Sequence, residues 1–164
     1  MQHMHAATRK EEPEAGFTLI ELMVVVLIIA ILIAVLIPTF VGAKQRAQDR
    51  AAQSSLHNGL TAAKVVYSDR GDYTLATVAT LTGVEPALTW VTAASASTGP
   101  NAVSVDPAST NYIVIAALSK SGTCFYVSDD ESGAGLGAQF ARSNGGCTAS
   151  AAPAAGDPAW TSGW

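Results

Sequence analysis

Residues 16–40 read GFTLIELMVVVLIIAILIAVLIPTF, and this stretch decides the fold. From Phe17 to Ile37 only Thr18 and Glu21 interrupt the apolar run. As a helix, those residues would rise about 31 Å, close to the thickness of a hydrocarbon core. The run is too long for the apolar region of an ordinary secretory signal, and no small-residue cleavage site closes it. A glutamate this close to the start of a membrane helix costs a few kcal/mol unless something compensates it.

Outward from the run, the chain changes character in both directions. Residues 1–16 are short, polar and mixed in charge (Arg9, Lys10, Glu11, Glu12, Glu14) and lack apolar periodicity, as a processed leader would. Pro38 lacks an amide hydrogen and crowds the preceding turn, and Gly42 weakens the same stretch, so a kink or local melting is expected there. Residues 41–67 continue helically with polar Lys44, Arg46, Gln48, Asp49 and Arg50. Ala52, Leu56, Leu60, Ala63 and Tyr67 recur every three or four positions, an apolar stripe. One helix from about Phe17 to about Asp69 is therefore expected, apolar all round at first and amphipathic later, with Gly71 as its stop.

Residues 71–110 are rich in Thr, Ala, Ser and Gly and hold Pro86, Pro100 and Pro107. They read as a long, partly irregular connection with little regular structure, anchored by Leu81, Val84, Leu88, Trp90 and Val91. Residues 112–118 (YIVIAAL) and 123–128 (TCFYVS) are β-rich and separated by Ser119-Lys120-Ser121-Gly122, a hairpin signature. Both are apolar on both faces, so each face needs a cover, one of them the amphipathic helix. Residues 138–142 suggest a third strand. Residues 148–164 read as extended or loosely docked, with Trp160 and Trp164 as anchors.

The chain has 164 residues, a net charge of -4, 49% apolar and only 13% charged residues. The mild charge gives no nucleic-acid signal. The two cysteines, Cys124 and Cys147, lie beyond the apolar run. If that part is exported they can pair, stabilising the fold by about 3 kcal/mol in the chain-entropy model; the alternative is two buried thiols.

Gly16-Phe17-Thr18-Leu19-Ile20-Glu21, followed at a distance by Pro38, resembles the class III signal peptide of type IV pilins and related pseudopilins. The resemblance is close over residues 16–42 and looser over the helix-then-hairpin layout and the C-terminal cysteine pair. It implies that a prepilin peptidase cuts between Gly16 and Phe17 and N-methylates Phe17, making Glu21 the fifth mature residue. It implies an α+β, pilin-like fold: a leader over residues 1–16, a membrane-spanning and filament-core helix over 17–41, and a globular domain over 42–164 on a small antiparallel sheet. Glu21 lies about 6 Å along the helix from the new amine of Phe17. Its expected role is to meet the amine of a neighbouring copy and fix axial register; pairing with its own amine, or simple protonation, are the alternatives. Residues 30–42 are expected to unwind on assembly.

The implied function is a structural subunit of a type IV pilus, not an enzyme, with no cofactor and no metal. The implied partners are copies of itself, prepilin peptidase, the inner-membrane assembly machinery, minor pilins and, before assembly, the lipid bilayer. The implied location is the membrane, then the cell surface. A pseudopilin of a secretion or competence system is the nearest alternative, and a membrane-anchored enzyme or receptor domain is an alternative of another class. Lys44, Arg46 and Arg50 outnumber Arg9 and Lys10, so flanking charge alone would keep the body in the cytoplasm; the resemblance places it outside.

Arg70-Gly71-Asp72 spells an adhesion tripeptide but reads better as a helix-ending turn. Asp129-Asp130-Glu131 reads as a solvated turn after a strand, and less readily as calcium ligands, since no spaced oxygen-ligand loop follows. His57 stands alone after the leader, too few for a His-based zinc site, and reads as a surface or packing residue.

Overall fold

The computed structural model describes residues 16–133 and 137–164. Residues 1–15, which hold almost all of the expected leader, lie outside the described residues. The chain divides into two compact units, Met1–Val41 and Gly42–Trp164, taken separately below.

Helix α1 spans Leu19–Arg70 and supplies the described helical part of the first unit and the opening of the second. Thr18 opens it: the Glu21 amide donates to Thr18 Oγ1 at 3.3 Å, one of the amides an α-helix start would otherwise leave without a partner. Gly71 closes it, with φ 66 and its amide donating to the Tyr67 carbonyl at 2.6 Å. The helix runs without interruption through Pro38 and Gly42, so the single chain is not melted there. Thr39 Oγ1 donates to the Leu36 carbonyl at 2.8 Å beside the amide that proline lacks.

In the second unit the stripe does what its period predicts. Ala52, Leu56, Leu60 and Ala63 are buried against the sheet, and Tyr67 packs at the edge of the same cluster. Gly59 lies on this face because nothing larger fits easily. A Cβ there would sit 3.1 Å from Ile115 Cδ1 and 3.2 Å from the Trp90 ring.

The sheet has five strands in the order β1-β2-β3-β4-β5: β1 Thr89–Thr92, β2 Ala102–Asp106, β3 Tyr112–Leu118, β4 Cys124–Asp130 and β5 Gln139–Ser143. β1 and β2 are parallel and the other pairs antiparallel. The β3–β4 hairpin turns at Ser119–Gly122, with Gly122 at φ 95 as its loop requires. Both faces of β3 and β4 are buried. Ile113, Ile115, Phe125 and Val127 face the helix, while Val114, Ala116, Tyr126 and Cys124 face a second cluster with Cys147, Ala149 and Trp160.

Three expectations are corrected. Residues 71–110 are mostly regular: a 3-10 turn at Tyr73–Leu75, helix α2 at Val78–Val84 capped by Thr77, and strands β1 and β2. β2 is held by seven-residue β3, and on the face away from the helix it buries Ser104, whose hydroxyl donates to the Thr92 carbonyl and accepts from the Ala149 amide. Leu81, Leu88 and Trp90 anchor the segment, but Val84 is exposed. Second, residues 129–130 are not a solvated turn, because β4 continues to Asp130 and Asp129 is fully buried. Third, residues 148–164 are firmly docked. Ala149 and Trp160 are buried on one face of the sheet, Thr161 pairs with Phe140 of β5, and Trp164 reaches the helix-side cluster.

Candidate functional site

In the first unit, Gly16 and Phe17 precede the helix and are exposed. Glu21 falls in the first turn, where a carboxylate suits the exposed amides and the helix dipole. Thr18 Oγ1 lies 3.4 Å from Glu21 Oε2, and with the Glu21 amide bond this makes Thr18-x-x-Glu21 a local cap. Thr18 is therefore a residue the sequence reading passed over. The Thr-x-x-Glu spacing was its signal.

The large apolar side chains from Phe17 to Val41 are all exposed in the single chain. The helix is long and apolar enough to cross a membrane. A face this large has no stable place in water, so lipid or other protein must cover it. A Cβ on Gly42 would meet only the flexible Arg46 side chain, at 3.5 Å, so the fold of one chain does not require glycine there.

The second unit is held on α1 by two polar clasps. At one end, Ser119 Oγ donates to Asp49 Oδ1 at 2.7 Å and Ser121 Oγ donates to the same oxygen. At the other, Tyr73 Oη donates to Asp129 Oδ2 at 2.5 Å, and Lys64 Nζ lies 2.9 Å from Asp129 Oδ1 and 3.5 Å from Glu131 Oε1. From Asp49 to Lys64 the helix rises about 22 Å, and six residues of strand span about 20 Å, so helix and hairpin lie alongside one another with a clasp at each end. Burial works to lower the Lys64 pKa, but the hydrogen bond and charge of Asp129, with Glu131, outweigh it and hold the ammonium above its usual value. Burial, then the Asp129 carboxylate, pushes the Tyr73 phenol well above its ordinary value.

The remaining candidates are structural. Cys124 and Cys147 form a disulfide with Cα atoms 5.3 Å apart, tying the C-terminal segment to β4. Gly71 ends α1 and Asp72 accepts from the Thr74 amide at 2.8 Å, so Arg70-Gly71-Asp72 is the turn between α1 and the 3-10 segment. His57 packs against Phe140 and Trp164, with ring centroids 5.6 and 5.2 Å away. Among the described residues no group of three or more His, Cys, Asp or Glu side chains is arranged to hold a metal.

A capped glutamate in the first turn, an unbroken apolar helix behind it and an α+β body are thus in place. Residues 13–37 match the family model for the prokaryotic N-terminal methylation motif. The chain carries a prepilin-type N-terminus. With the five-stranded body, this makes the architecture type IV pilin-like. No curated protein and no solved structure gives a significant match. The prepilin motif implies processing by a prepilin peptidase, and with the apolar helix it is consistent with membrane anchoring. Motif and fold together point to a structural subunit.

Proposed function

We propose that this chain is the precursor of a type IV pilin, cut between Gly16 and Phe17, methylated at Phe17 and polymerised into a surface filament. The observation that carries the reading is the methylation motif at residues 13–37 running directly into an exposed, membrane-length apolar helix. In lipid that helix is stable alone. Moved into a bundle of like helices it stays out of water and gains close packing. Glu21 then carries a charge into the apolar core, where it needs a cation. The amine freed at Phe17 of a neighbouring copy supplies one at matching depth and so fixes register. Residues 30–42, with a proline that withholds one amide and a glycine the single chain does not need, are the part able to unwind as copies pack.

The Thr18 cap holds the Glu21 carboxylate at the first turn, the end at which the amine is created, a placement open to the amine of a neighbouring copy and to its own. A pseudopilin would share these N-terminal features, and the distinction lies in the product: a long surface filament against a short periplasmic one serving secretion. The test is electron microscopy of a deletion strain carrying the wild-type gene or Glu21→Val. Wild type should restore surface filaments, and Glu21→Val should insert normally but lose most filaments. Normal filaments from Glu21→Val would remove the register role. Restored secretion without surface filaments would favour the pseudopilin.

A further inference from the structure

The charges of the second unit are sorted by end. Around the Asp49 clasp lie Lys44, Arg46 and Arg50 on α1, Lys120 in the β3–β4 turn and Arg142 on β5, all exposed. Lys120 sits between the two serines that bond Asp49, and Arg142 shares a surface hollow with Asp49 and Thr123, which fixes both at this end. Asp49 is the one acid among them, and its Oδ1 already accepts from two hydroxyls, so five bases against one acid leave a formal +4.

The opposite end is acidic. Asp69 and Asp72 flank the C-terminus of α1, Asp106 ends β2, and Asp130 ends β4 with Glu131 next after it. These segments are tied together: the Tyr73 amide donates to the Thr110 carbonyl and the Glu131 amide to the Asn111 carbonyl. Asp130 is registered against Tyr112, and Asp106 against Val114 on the same strand. With buried Asp129 these make six acids against Lys64 and Arg70, a formal −4. Arg50 and Asp69 are 19 residues apart on one helix, about 28 Å, and the clasps within the two fields are about 20 Å apart. Glu85, beside Thr61 and Val65 in mid-helix, and Asp157, in the C-terminal segment, are counted with neither end.

This separation is more than twice the Debye length, about 8 Å at physiological ionic strength. The two ends therefore do little for each other within one chain, but oppositely charged patches on two chains attract at contact. Copies displaced along a common helix direction bring unlike ends together, and the same two patches meet at every step of an open polymer.

We infer that the body associates head to tail through these ends, the basic end of one copy seated on the acidic end of the next. The inference rests on the polymeric reading above and supplies an axial contact in the outer shell, separate from Glu21 in the core. An antiparallel pair would also match the charges, but it closes at two copies and stops growth.

The test is a charge swap. Arg46→Glu, Arg50→Glu and Lys120→Glu together take one end from a formal +4 to −2, Asp69→Lys, Asp106→Lys and Asp130→Lys take the other from −4 to +2, and a third chain carries all six changes. In cells, each single-end reversal should lower the yield of sheared filaments at least about fivefold, and the chain with both ends reversed should recover to within about twofold of wild type. In parallel, sedimentation of the full chain in neutral detergent at low salt should show wild type and the chain with both ends reversed associating beyond dimers, the single-end variants not, and 0.5 M salt abolishing association, roughly the regime where screening falls to a few Å. The milder pair Arg50→Gln and Asp69→Asn should each give a smaller loss of the same sign, which covers a reversal that fails to fold. Loss from the basic-end reversal alone, with no effect of the acidic-end reversal and no rescue, would mean that the basic end meets anionic lipid and would overturn the inference. Association stopping at a dimer would overturn it too. Filaments indifferent to every swap would overturn it and leave the proposed function standing. The swap pattern in detergent without any filament in cells would do the reverse.

Discussion

The Tyr73 hydroxyl donates to Asp129 Oδ2 at 2.5 Å, and both residues are fully buried. The bond joins the segment just after the long helix to the end of β4, 56 positions away in the chain. With Lys64 on the other carboxylate oxygen, Asp129 is a buried charge that is paired and hydrogen-bonded, the arrangement under which such a charge is tolerated.

Tyr73→Phe leaves that carboxylate one donor short without opening a cavity. It should cost about 1–3 kcal/mol of stability. Thermal or denaturant unfolding of the full chain in detergent, followed by near-ultraviolet circular dichroism, measures this. The double change Tyr73→Phe, Asp129→Asn should cost less than the two single changes summed, because each removes the same bond.

The same clasp sets the alkaline limit. Burial raises the phenol pKa of Tyr73, Tyr112 and Tyr126, and Lys64 is raised as well, its ion pairs outweighing the burial that opposes them. Groups whose folded pKa lies above the unfolded one contribute fully below the unfolded value, and that contribution is lost as pH rises through the folded value. Stability should therefore hold through neutral pH and fall once pH passes about 10, where unfolded tyrosine and lysine begin to lose protons. Phenolate absorbance of these three tyrosines should rise together with loss of the near-ultraviolet signal. A phenolate rise well before unfolding would contradict the burial.

Gly59→Val places methyl groups where a Cβ alone is already 3.1 Å from Ile115 and 3.2 Å from Trp90. It should destabilise the body by about 1–3 kcal/mol through overpacking. An exposed helical glycine would instead tolerate the change, so unfolding of this variant tests how closely α1 lies on the sheet.

Cys147→Ser opens the link to β4 and should cost about 3 kcal/mol on the chain-entropy estimate. Hydrogen exchange should speed up from Thr148 to Trp164 first. The helix-side cluster, which has its own contacts through Leu56, Leu60, Ile115 and Val127, should be affected least.

Much of this architecture was legible in the sequence where signals are local and periodic. The stripe from Ala52 to Tyr67, the Ser119–Gly122 turn, the double-faced β3–β4 hairpin and the candidate third strand all follow from spacing. β1 and β2 were not legible, because four- and five-residue strands rich in Thr and Ser take their identity from cross-strand neighbours. Asp129 was misread for a related reason. Nothing local distinguishes a carboxylate facing water from one met by Lys64 and Tyr73, both far away in the chain. At the N-terminus the reverse holds. Gly16, Phe17 and Glu21 stand out in the sequence, while a single chain can display only the Thr18 cap and the uncovered apolar surface, since their proposed work needs a peptidase and a second copy.

Cleavage after Gly16 followed by polymerisation is read from the mass of the N-terminal peptide in sheared surface material. One abundant band beginning with N-methylated Phe17 is expected. A chain that stays in the membrane fraction with Met1 still attached, and is missing from sheared material, would contradict it.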